Sequence, residues 1–432
     1  MSNLKARLEK ASPLWFTLFS VFAAFGTYFC MYAFRKPFTV ATFEGMSFLS
    51  VDYKIWLVTI QVIGYMLSKF IGVKVISEMK PGRRVFWMLT LVGIAGVALV
   101  LFAITPAPYN IIWMLVNGFP LGMIWGLVFS YLEGRKNTEI LGAGLCVSFI
   151  VSSGVVKSMG KYVMLSWGVS EFWMPFVTAM IFAIPLVICV SLLSQIPPPT
   201  KEDEMSRTKR LPMSRADRLA FMKEFGLGLI LLITVYILLT AFRDFRDNFA
   251  AEIWESLGYG DSPAIFTATE VPVSLGVLLV IGLTVLIKDN MRALMINHII
   301  ILVGFVMVAV STFAFQQGWI GAPLWMILVG MGLYLGYVLY NSVFFERMIA
   351  AFKYVSNVGF LIYLADSFGY LGAITVLFYK NFGQAELSWL SFFEISAYVM
   401  AGVGTLFTAA SLIYFYVKGK NWDKSKTSLE TA

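Results

Sequence analysis

The sequence is poor in charge, in cysteine and in histidine. Only 13% of its 432 residues are charged, and it has three cysteines and one histidine, whereas 59% are hydrophobic. Because soluble domains carry about 25% charged residues, this composition excludes an ordinary soluble domain. Cys30, Cys146 and Cys189 all lie in long apolar runs, which excludes a disulfide framework or a cysteine metal cluster. His298 has no second histidine with which to share a metal and is interpreted as a helix-packing residue.

What the sequence has instead is about twelve long apolar runs, most of them joined by short connections. About 20 apolar residues cross a bilayer as a helix, whereas a membrane β-barrel would show alternating segments, which are missing here. The first run lacks a small-residue cleavage site, so it is interpreted as a span and not as a signal peptide. We therefore predict an all-α polytopic membrane protein with spans at 14–36, 54–77, 84–105, 109–132, 138–162, 171–194, 224–247, 263–287, 292–315, 322–345, 353–379 and 388–417.

Positive charge is concentrated on one side of this predicted topology. Most of the 33 lysines and arginines lie at the N-terminus, in the connections after even-numbered runs and at the C-terminus. The net charge of +8 is therefore typical of the positive-inside rule and does not indicate a nucleic-acid surface. We predict a multi-pass protein of a bacterial plasma (inner) membrane with both termini in the cytoplasm.

The longest connection divides the runs six and six. Charged residues then recur at a nearly constant offset, for example Arg35 with Arg243. A duplicated six-helix half with a substrate site at mid-membrane is the plan of many secondary transporters. We predict an N-terminal six-helix half (1–194), a cytoplasmic linker (195–222) and a C-terminal six-helix half (223–432).

Polar and charged side chains share helical faces within several of the predicted spans. Such faces are costly against lipid and are expected to line a central cavity. They comprise Tyr28, Tyr32 and Arg35; Gln61, Tyr65 and Lys69; Ser153 and Lys157; Tyr236, Thr240, Arg243 and Asp247; Thr267, Glu270 and Ser274; Tyr334, Tyr337 and Asn341; and Tyr363, Asp366 and Tyr370.

Arginine in such a cavity indicates an oxyanion, because the guanidinium fork binds phosphate or carboxylate through two hydrogen bonds. We expect Arg35 and Arg243, one from each half, to clamp one anion with Lys69 as a helper. The predicted substrate-binding residues are Arg35, Lys69, Arg243, Tyr32, Tyr65, Lys157, Tyr337 and Asn341.

The alternative for some of these cations is ion pairing inside the helix bundle. Arg246 and Lys157 fit either substrate contact or a structural pair. The spacing offers three pairings: Arg243 with Asp247, Arg246 with Asp244 or Asp247, and Lys157 with Asp366. The residues assigned to coupling or ion pairs are Asp247, Glu270, Asp366 and Arg246.

Three stretches resemble one branch of the major facilitator superfamily, the organophosphate:phosphate antiporters. YAFRKPF (32–38) is similar to a first-helix segment in which an arginine contacts phosphate, and Arg35 takes that position. SKFIGVKVISEMKPGRRVF (68–86) resembles the second helix and its loop, with Lys69 as the cavity lysine, and FGYLG (368–372) resembles an eleventh-helix segment. Arg243 corresponds to the seventh-helix arginine. The resemblance implies the major facilitator fold and, for a divergent relative, uptake of a phosphate ester in exchange for phosphate by alternating access.

Three functions are compatible with these features. The first is anion exchange, and the second is proton-coupled symport of a small polar solute with Glu270 or Asp366 as the titrating carboxylate. The third is a membrane sensor that keeps the transporter fold without turnover. No nucleophile–base pair, metal set or glycine-rich phosphate loop is present, so we do not expect an enzyme. We expect no cofactor, metal or nucleic-acid partner, and a monomer in lipid that binds a small anionic substrate.

Overall fold

The computed structural model describes most of the chain. The described residues are 2–77, 79, 81–135, 138–200, 203, 215–352, 354, 358–384 and 386–430. Much of the predicted linker, 195–222, lies outside the described residues, and the side chain of Tyr363 is not described either.

Helices account for nearly all of the regular structure. Those before the predicted linker are α1 (Ser2–Glu9), α2 (Pro13–Tyr32), α3 (Tyr53–Ser77), α4 (Arg84–Ile104), α5 (Ile111–Leu121), α6 (Ile124–Leu132), α7 (Thr138–Trp167) and α8 (Met174–Leu193). Those after it are α9 (Arg215–Asn248), α10 (Ala250–Ser256), α11 (Ala264–Val285), α12 (Asn290–Gln316), α13 (Ala322–Leu339), α14 (Phe345–Phe352), α15 (Val358–Phe378) and α16 (Trp389–Glu430).

Each predicted apolar run contains a long helix or a pair of helices in line. Within the described residues, 10 helical spans are long and apolar enough to cross a membrane, with α5 joined to α6 and α13 joined to α14. Helices α3 and α15 occupy the two remaining runs. The prediction of an all-α polytopic membrane protein is therefore confirmed.

A small β-hairpin follows the first span. Strands β1 (Ser47–Phe48) and β2 (Val51–Asp52) pair antiparallel, and the two residues between them, Leu49 and Ser50, have φ values of 52° and 61°. Positive φ at both turn positions matches the twist of the two strands. The indole of Trp56 in α3 donates a hydrogen bond to the carbonyl oxygen of Phe48 at 2.8 Å, which ties the hairpin to the second span.

The first span ends earlier than its hydrophobicity predicts. The apolar run continues to residue 36, but α2 ends at Tyr32 and the backbone tightens into turns before a 3-10 helix at Pro37–Val40. Pro37 has no N–H to donate to the carbonyl of Ala33, so a regular helix cannot continue through it. Arg35 therefore lies in the hydrogen-bonded turns that follow α2 and not in the helix itself, but its guanidinium carbon still lies 5.9 Å from the centre of the Tyr32 ring.

The chain divides into two compact units that do not follow the order of the sequence. The first unit comprises Met1–Arg207, Phe245–Ser274 and Leu377–Leu390, and the second comprises Thr208–Asp244, Leu275–Val376 and Ser391–Ala432. The first unit thus combines the early spans with the end of α9, with α10 and with the first half of α11. The predicted halves, 1–194 and 223–432, concern chain order and stay a prediction.

A close helix contact inside the first unit prepares the site described next. A Cβ atom at Gly118 of α5 would overlap the carbonyl oxygen of Gln61 in α3. Because glycine has no side chain, the two helix backbones approach closely there. This contact brings the buried side chains of Gln61 and Asn117 next to each other.

Candidate functional site

The first compact unit holds a buried arginine stacked on a tyrosine. The guanidinium carbon of Arg35 lies 3.8 Å from the centre of the Tyr65 ring and 5.9 Å from that of Tyr32. The hydroxyl of Tyr65 lies 3.5 Å from that of Tyr28, and the ammonium nitrogen of Lys69 is 5.3 Å from the Tyr65 ring centre. We call these five residues the Arg35 cluster.

Two buried amides hold the backbone on which Arg35 sits. The side-chain nitrogen of Gln61 donates to the carbonyl oxygen of Arg35 at 2.9 Å and to Oδ1 of Asn117 at 2.8 Å. The Asn117 nitrogen donates in turn to the carbonyl oxygens of Phe34 at 2.9 Å and Ala95 at 3.1 Å. These bonds satisfy carbonyl groups in the turns that follow α2.

The second compact unit holds an arginine in a similar setting. The guanidinium carbon of Arg243 lies 4.0 Å from the centre of the Tyr337 ring, and its Nη2 donates to Oδ1 of Asp244 at 2.5 Å. Tyr337 stacks on Tyr236, with ring centres 5.6 Å apart. Each unit therefore places one guanidinium carbon within about 4 Å of the centre of a tyrosine ring, a distance typical of cation–π contacts.

Polar partners extend this second arrangement. The Tyr236 hydroxyl donates to the Asp366 carboxylate and accepts a hydrogen bond from the side-chain nitrogen of Asn341 at 3.2 Å. The same nitrogen of Asn341 also donates to the carbonyl oxygen of Tyr337 at 2.8 Å. We call Arg243, Asp244, Tyr236, Tyr337, Asn341 and Asp366 the Arg243 cluster.

A π-helical segment lies at this cluster. Tyr340–Phe344 forms a π-turn between α13 and α14, and Asn341 is its second residue. π-turns within α-helices occur frequently at functional sites, because the widened turn changes the direction of the side chains that follow it. The apolar pattern of this span does not predict the π-turn.

A charge network in the first unit is centred on Asp247. One carboxylate oxygen accepts hydrogen bonds from the ammonium group of Lys157 and from the Ser153 hydroxyl, and the other oxygen pairs with Lys36. Lys36 also donates to Oδ1 of Asn248 at 2.8 Å. The side chains of both lysines are at most 5% exposed, so one carboxylate lies between two buried cations. We call Lys36, Asp247, Lys157, Ser153 and Asn248 the Asp247 network.

A second ion pair joins α3 to the short helix α10. Lys54 contacts Glu252 and donates to the carbonyl oxygen of Thr39 at 2.7 Å. Burial raises the pKa of Glu252 above its ordinary value, and the charge of Lys54 opposes that rise. Burial also raises the pKa of Asp52, whose carboxylate accepts the backbone N–H of Lys54 at 2.9 Å. One oxygen of Glu252, Oε2, is buried without a hydrogen-bond partner.

The ion pairs differ from those that spacing suggested. Arg243 pairs with Asp244, Arg246 pairs with Glu270 at 2.6 Å, and Lys157 pairs with Asp247. The suggested partners, Asp247 for Arg243, Asp244 or Asp247 for Arg246, and Asp366 for Lys157, are wrong. The Asp247 carboxylate already pairs with two lysines from other segments. Arg243 and Arg246, which are near Asp247 on the same helix, therefore pair with other acids.

Sequence reasoning missed two buried cations of the first unit, Lys36 of the Asp247 network and Lys54 of the pair with Glu252. Neither Lys36 nor Lys54 is among the site residues that the sequence predicts. Both are buried, with 3% and 1% of the residue exposed. A lysine next to Arg35 and another at the first turn of a span were the signals available, although neither identifies an acidic partner.

The one histidine has a packing role, as its sequence context predicted. His298 is fully buried, with Nδ1 2.8 Å from the carbonyl oxygen of Leu294 and Nε2 3.0 Å from the Ser411 hydroxyl. Within the part of the chain that the structure describes, no group of three or more histidine, cysteine, aspartate or glutamate side chains is placed to hold a metal ion.

The two arginine clusters have the chemistry of oxyanion binding. A guanidinium group presents several N–H donors in one plane, which suits planar, bidentate acceptors such as phosphate or carboxylate. Tyrosine hydroxyls next to each arginine add further donors, and Lys69 adds a point charge to the first cluster. The contact of these side chains with a substrate stays a prediction.

Solved structures of transporters resemble this chain over nearly its whole length. A D-xylose–proton symporter matches with a TM-score of 0.60 and 15% identity, over 93% of this chain and 97% of that one. A peptide transporter matches with a TM-score of 0.61 and 12% identity, over 94% and 95%. The human organic anion transporter MFSD10 (TETRAN) matches with a TM-score of 0.57 and 12% identity, over 93% and 100%. The predicted fold class, the major facilitator fold, is thereby confirmed.

Comparisons of sequence give a family without an assigned activity. No curated protein matches the chain. A family model described as "Family of unknown function (DUF5690)" matches residues 37–418, which include Lys69, Arg243, Tyr337 and the acids of the ion pairs. A match over that share of the chain is sufficient to establish membership. The chain belongs to this family, DUF5690, and has the major facilitator fold.

Proposed function

We propose that this protein is a secondary active transporter of a small organic or phosphorylated anion, which it exchanges for phosphate by alternating access. The observation that carries the proposal is the pair of buried arginine–tyrosine stacks, Arg35 on Tyr65 and Arg243 on Tyr337. The resemblance of the segments around Arg35 and Lys69 to organophosphate:phosphate antiporters supports phosphate as the exchanged anion.

The cost of burying charge supports a functional role for Arg35. Arginine at mid-membrane costs about 2.5–3.5 kcal/mol on insertion scales, so its presence in a span region indicates a function or a strong structural partner. Arg35 is only 5% exposed, and its guanidinium carbon lies 3.8 Å from the centre of the Tyr65 ring and 5.9 Å from that of Tyr32. An anion bound there gains charge-assisted hydrogen bonds in a site already shielded from water.

Arg243 differs from Arg35 in having an acid at its side. Its guanidinium group donates to Asp244 through both Nε and Nη2, at 3.1 and 2.5 Å. An incoming anion therefore competes with the Asp244 carboxylate for this arginine. Replacing one anionic partner by another costs less than leaving the guanidinium group without an anionic partner. Such replacement suits an exchanger, in which two anionic substrates occupy the same site in turn.

Proton-coupled symport of a polar solute is the second candidate. The observation that favours it is Asp366, which is 4% exposed and accepts the hydroxyl of Tyr236 within the Arg243 cluster. Glu270 is the other candidate carboxylate, and it forms an ion pair with Arg246. The proposal further includes a monomer in a bacterial plasma membrane, with both termini in the cytoplasm and no cofactor.

The test is uptake of labelled phosphate by proteoliposomes loaded with unlabelled phosphate, with a sugar phosphate or with buffer alone. Exchange requires an internal anion, so we expect uptake only in the first two preparations. An inwardly directed proton gradient is imposed on the buffer-loaded vesicles as a separate arm. Uptake driven by that gradient alone would favour symport, and no uptake in any arm would contradict phosphate exchange.

A further inference from the structure

The turns after α2 direct two neighbouring basic side chains to two separate clusters. Arg35 reaches the ring of Tyr65, 3.8 Å away, whereas Lys36 reaches Asn248, 2.8 Å away, and the Asp247 carboxylate. Consecutive residues of a regular helix point about 100° apart and face different neighbours by default. Here α2 has ended at Tyr32, and the N–H groups of Arg35 and Lys36 close the following turns on the carbonyl oxygen of Tyr32, at 3.0 and 2.9 Å.

The buried amides of Gln61 and Asn117 hold the carbonyl groups of the same turns. Asn117 binds the carbonyl of Phe34, which lies in the peptide plane before the Cα atom of Arg35, and Gln61 binds the carbonyl of Arg35, which lies in the plane after it. A residue has only two soft backbone torsions, so holding both flanking planes fixes φ and ψ of Arg35. These torsions set the direction of the Cα–Cβ bond of Arg35 and, through the following peptide plane, the direction in which Lys36 leaves the backbone.

The two amides are themselves rigid. Gln61 and Asn117 are 2% and 0% exposed, and the Gln61 nitrogen also donates to the Asn117 oxygen at 2.8 Å. Asn117 is anchored to α4 through the carbonyl of Ala95 at 3.1 Å. Gln61 precedes Tyr65 by one helical turn on α3, so one helix supplies both the support beneath Arg35 and the ring on which its guanidinium group rests.

We propose that Gln61 and Asn117 are positioning residues that set the direction of Arg35 toward the substrate and of Lys36 toward the Asp247 network. The inference deepens the proposed function, since the substrate of Arg35 is the anion assigned there. The amides touch no substrate and act only through the backbone of residues 34–36.

The first experiment measures, without any substrate, the direction of the side chains at positions 35 and 36. Cysteine is introduced at position 35 or 36 in a chain whose three native cysteines are replaced by serine. The rate of labelling by a water-soluble thiol reagent is then compared with and without Gln61→Met or Asn117→Leu, which keep size but remove the amide. Asn110→Leu is the matched control, because Asn110 is a buried amide of the same unit that bonds Tyr53 and the carbonyl of Phe102.

We expect Gln61→Met and Asn117→Leu to change the labelling rate severalfold at both positions, and Asn110→Leu to leave it near that of the parent. Unchanged rates with the amides removed would overturn the positioning role. An equal change with Asn110→Leu would overturn it as well, because the effect would then be a general loosening of the unit. Thermal unfolding identifies a variant that does not fold, and the other variant then decides.

The second experiment measures transport. A displaced Arg35 weakens substrate binding, so we expect Gln61→Met to lower the efficiency of phosphate exchange about 10- to 100-fold, mainly through the half-saturation concentration. Combined with Arg35→Lys, it should cause no further loss, because the amide acts through Arg35. Additive losses would contradict that. Changed labelling rates in a parent protein that exchanges no phosphate would uphold the positioning role and contradict the proposed function alone.

Discussion

At the scale of single residues, Asp247 places one carboxylate between two buried lysines. Its side chain is 12% exposed, and it accepts from Lys36, from Lys157 and from Ser153. Removing one member of a buried ion pair leaves its partner charged and desolvated, which is more costly than the pair's net contribution. The loss of the carboxylate and the loss of one lysine therefore have unequal consequences.

We predict that Asp247→Asn destabilises the protein more than Lys157→Met. The first leaves two like charges buried together, at a cost of about 3–5 kcal/mol. The second leaves a balanced pair of Lys36 with Asp247. The midpoint of thermal unfolding of the purified protein measures both variants, and Asp261→Asn on an exposed connection is the control. A midpoint for Asp247→Asn at or above that of Lys157→Met would contradict this account of the network.

Residue identity was easier to predict from the sequence than residue partnership. Periodicity on predicted helices selected Arg35, Arg243 and Lys157 as charged groups inside spans, because a charge in an apolar run is visible without a structure. The partner of Lys157 was not predictable in this way. It comes from a helix 90 residues away in the chain, and spacing within one helix carries no information about contacts between helices.

At the scale of elements, the short helix α10 is held by its first-turn glutamate. Glu252 lies 2.5 Å from Lys54, and its side chain is 11% exposed. Burial raises the pKa of Glu252 above the ordinary 4.5, so the folded protein binds the proton more tightly than the unfolded chain does. By linkage, protonation of this group stabilises the fold.

We predict a pH dependence of stability that Glu252→Gln removes. The contribution of Glu252 is fully present below its ordinary pKa and is lost as the pH rises through the raised folded value. The thermal midpoint of the parent should therefore rise, relative to that of Glu252→Gln, as the pH falls from neutral toward 4.5. Parallel curves for the two proteins would show that Glu252 keeps its ordinary pKa in the fold.

Element boundaries depended on interactions that hydrophobicity does not report. The run 14–36 is continuous in hydrophobicity, yet α2 ends at Tyr32 because Pro37 and the amides of Gln61 and Asn117 stabilise the turns beyond it. The π-turn at Tyr340–Phe344 lies inside an apolar run whose composition is that of an ordinary helix. Apolar periodicity therefore predicted the existence of the spans and missed the two irregular segments next to the arginine clusters.

At the scale of the whole molecule, the major facilitator fold was predictable because the bilayer leaves few alternatives. Twelve apolar runs with a charged connection in the middle permit little besides a helical bundle in two halves. The side of the membrane on which the termini lie stays a prediction from the distribution of lysine and arginine.

We predict that the N-terminus and the connection between α10 and α11 lie on opposite sides of the membrane. In a cysteine-free background, an impermeant thiol reagent should label Asp261→Cys in intact cells and should label Glu9→Cys only after the membrane is permeabilised. Both positions are exposed, so access to the reagent depends on the side of the membrane. Labelling of Glu9→Cys in intact cells would place the termini outside.

The measurement that tests the central claim most directly is phosphate exchange by Arg35→Lys and Arg243→Lys beside the exposed control Arg292→Lys. Lysine keeps the positive charge but loses the planar fork. If both arginines bind the anion, exchange should fall at least about tenfold in each variant and stay near the parent level in the control. Exchange at the parent level in a folded Arg35→Lys or Arg243→Lys protein would contradict the two-arginine clamp.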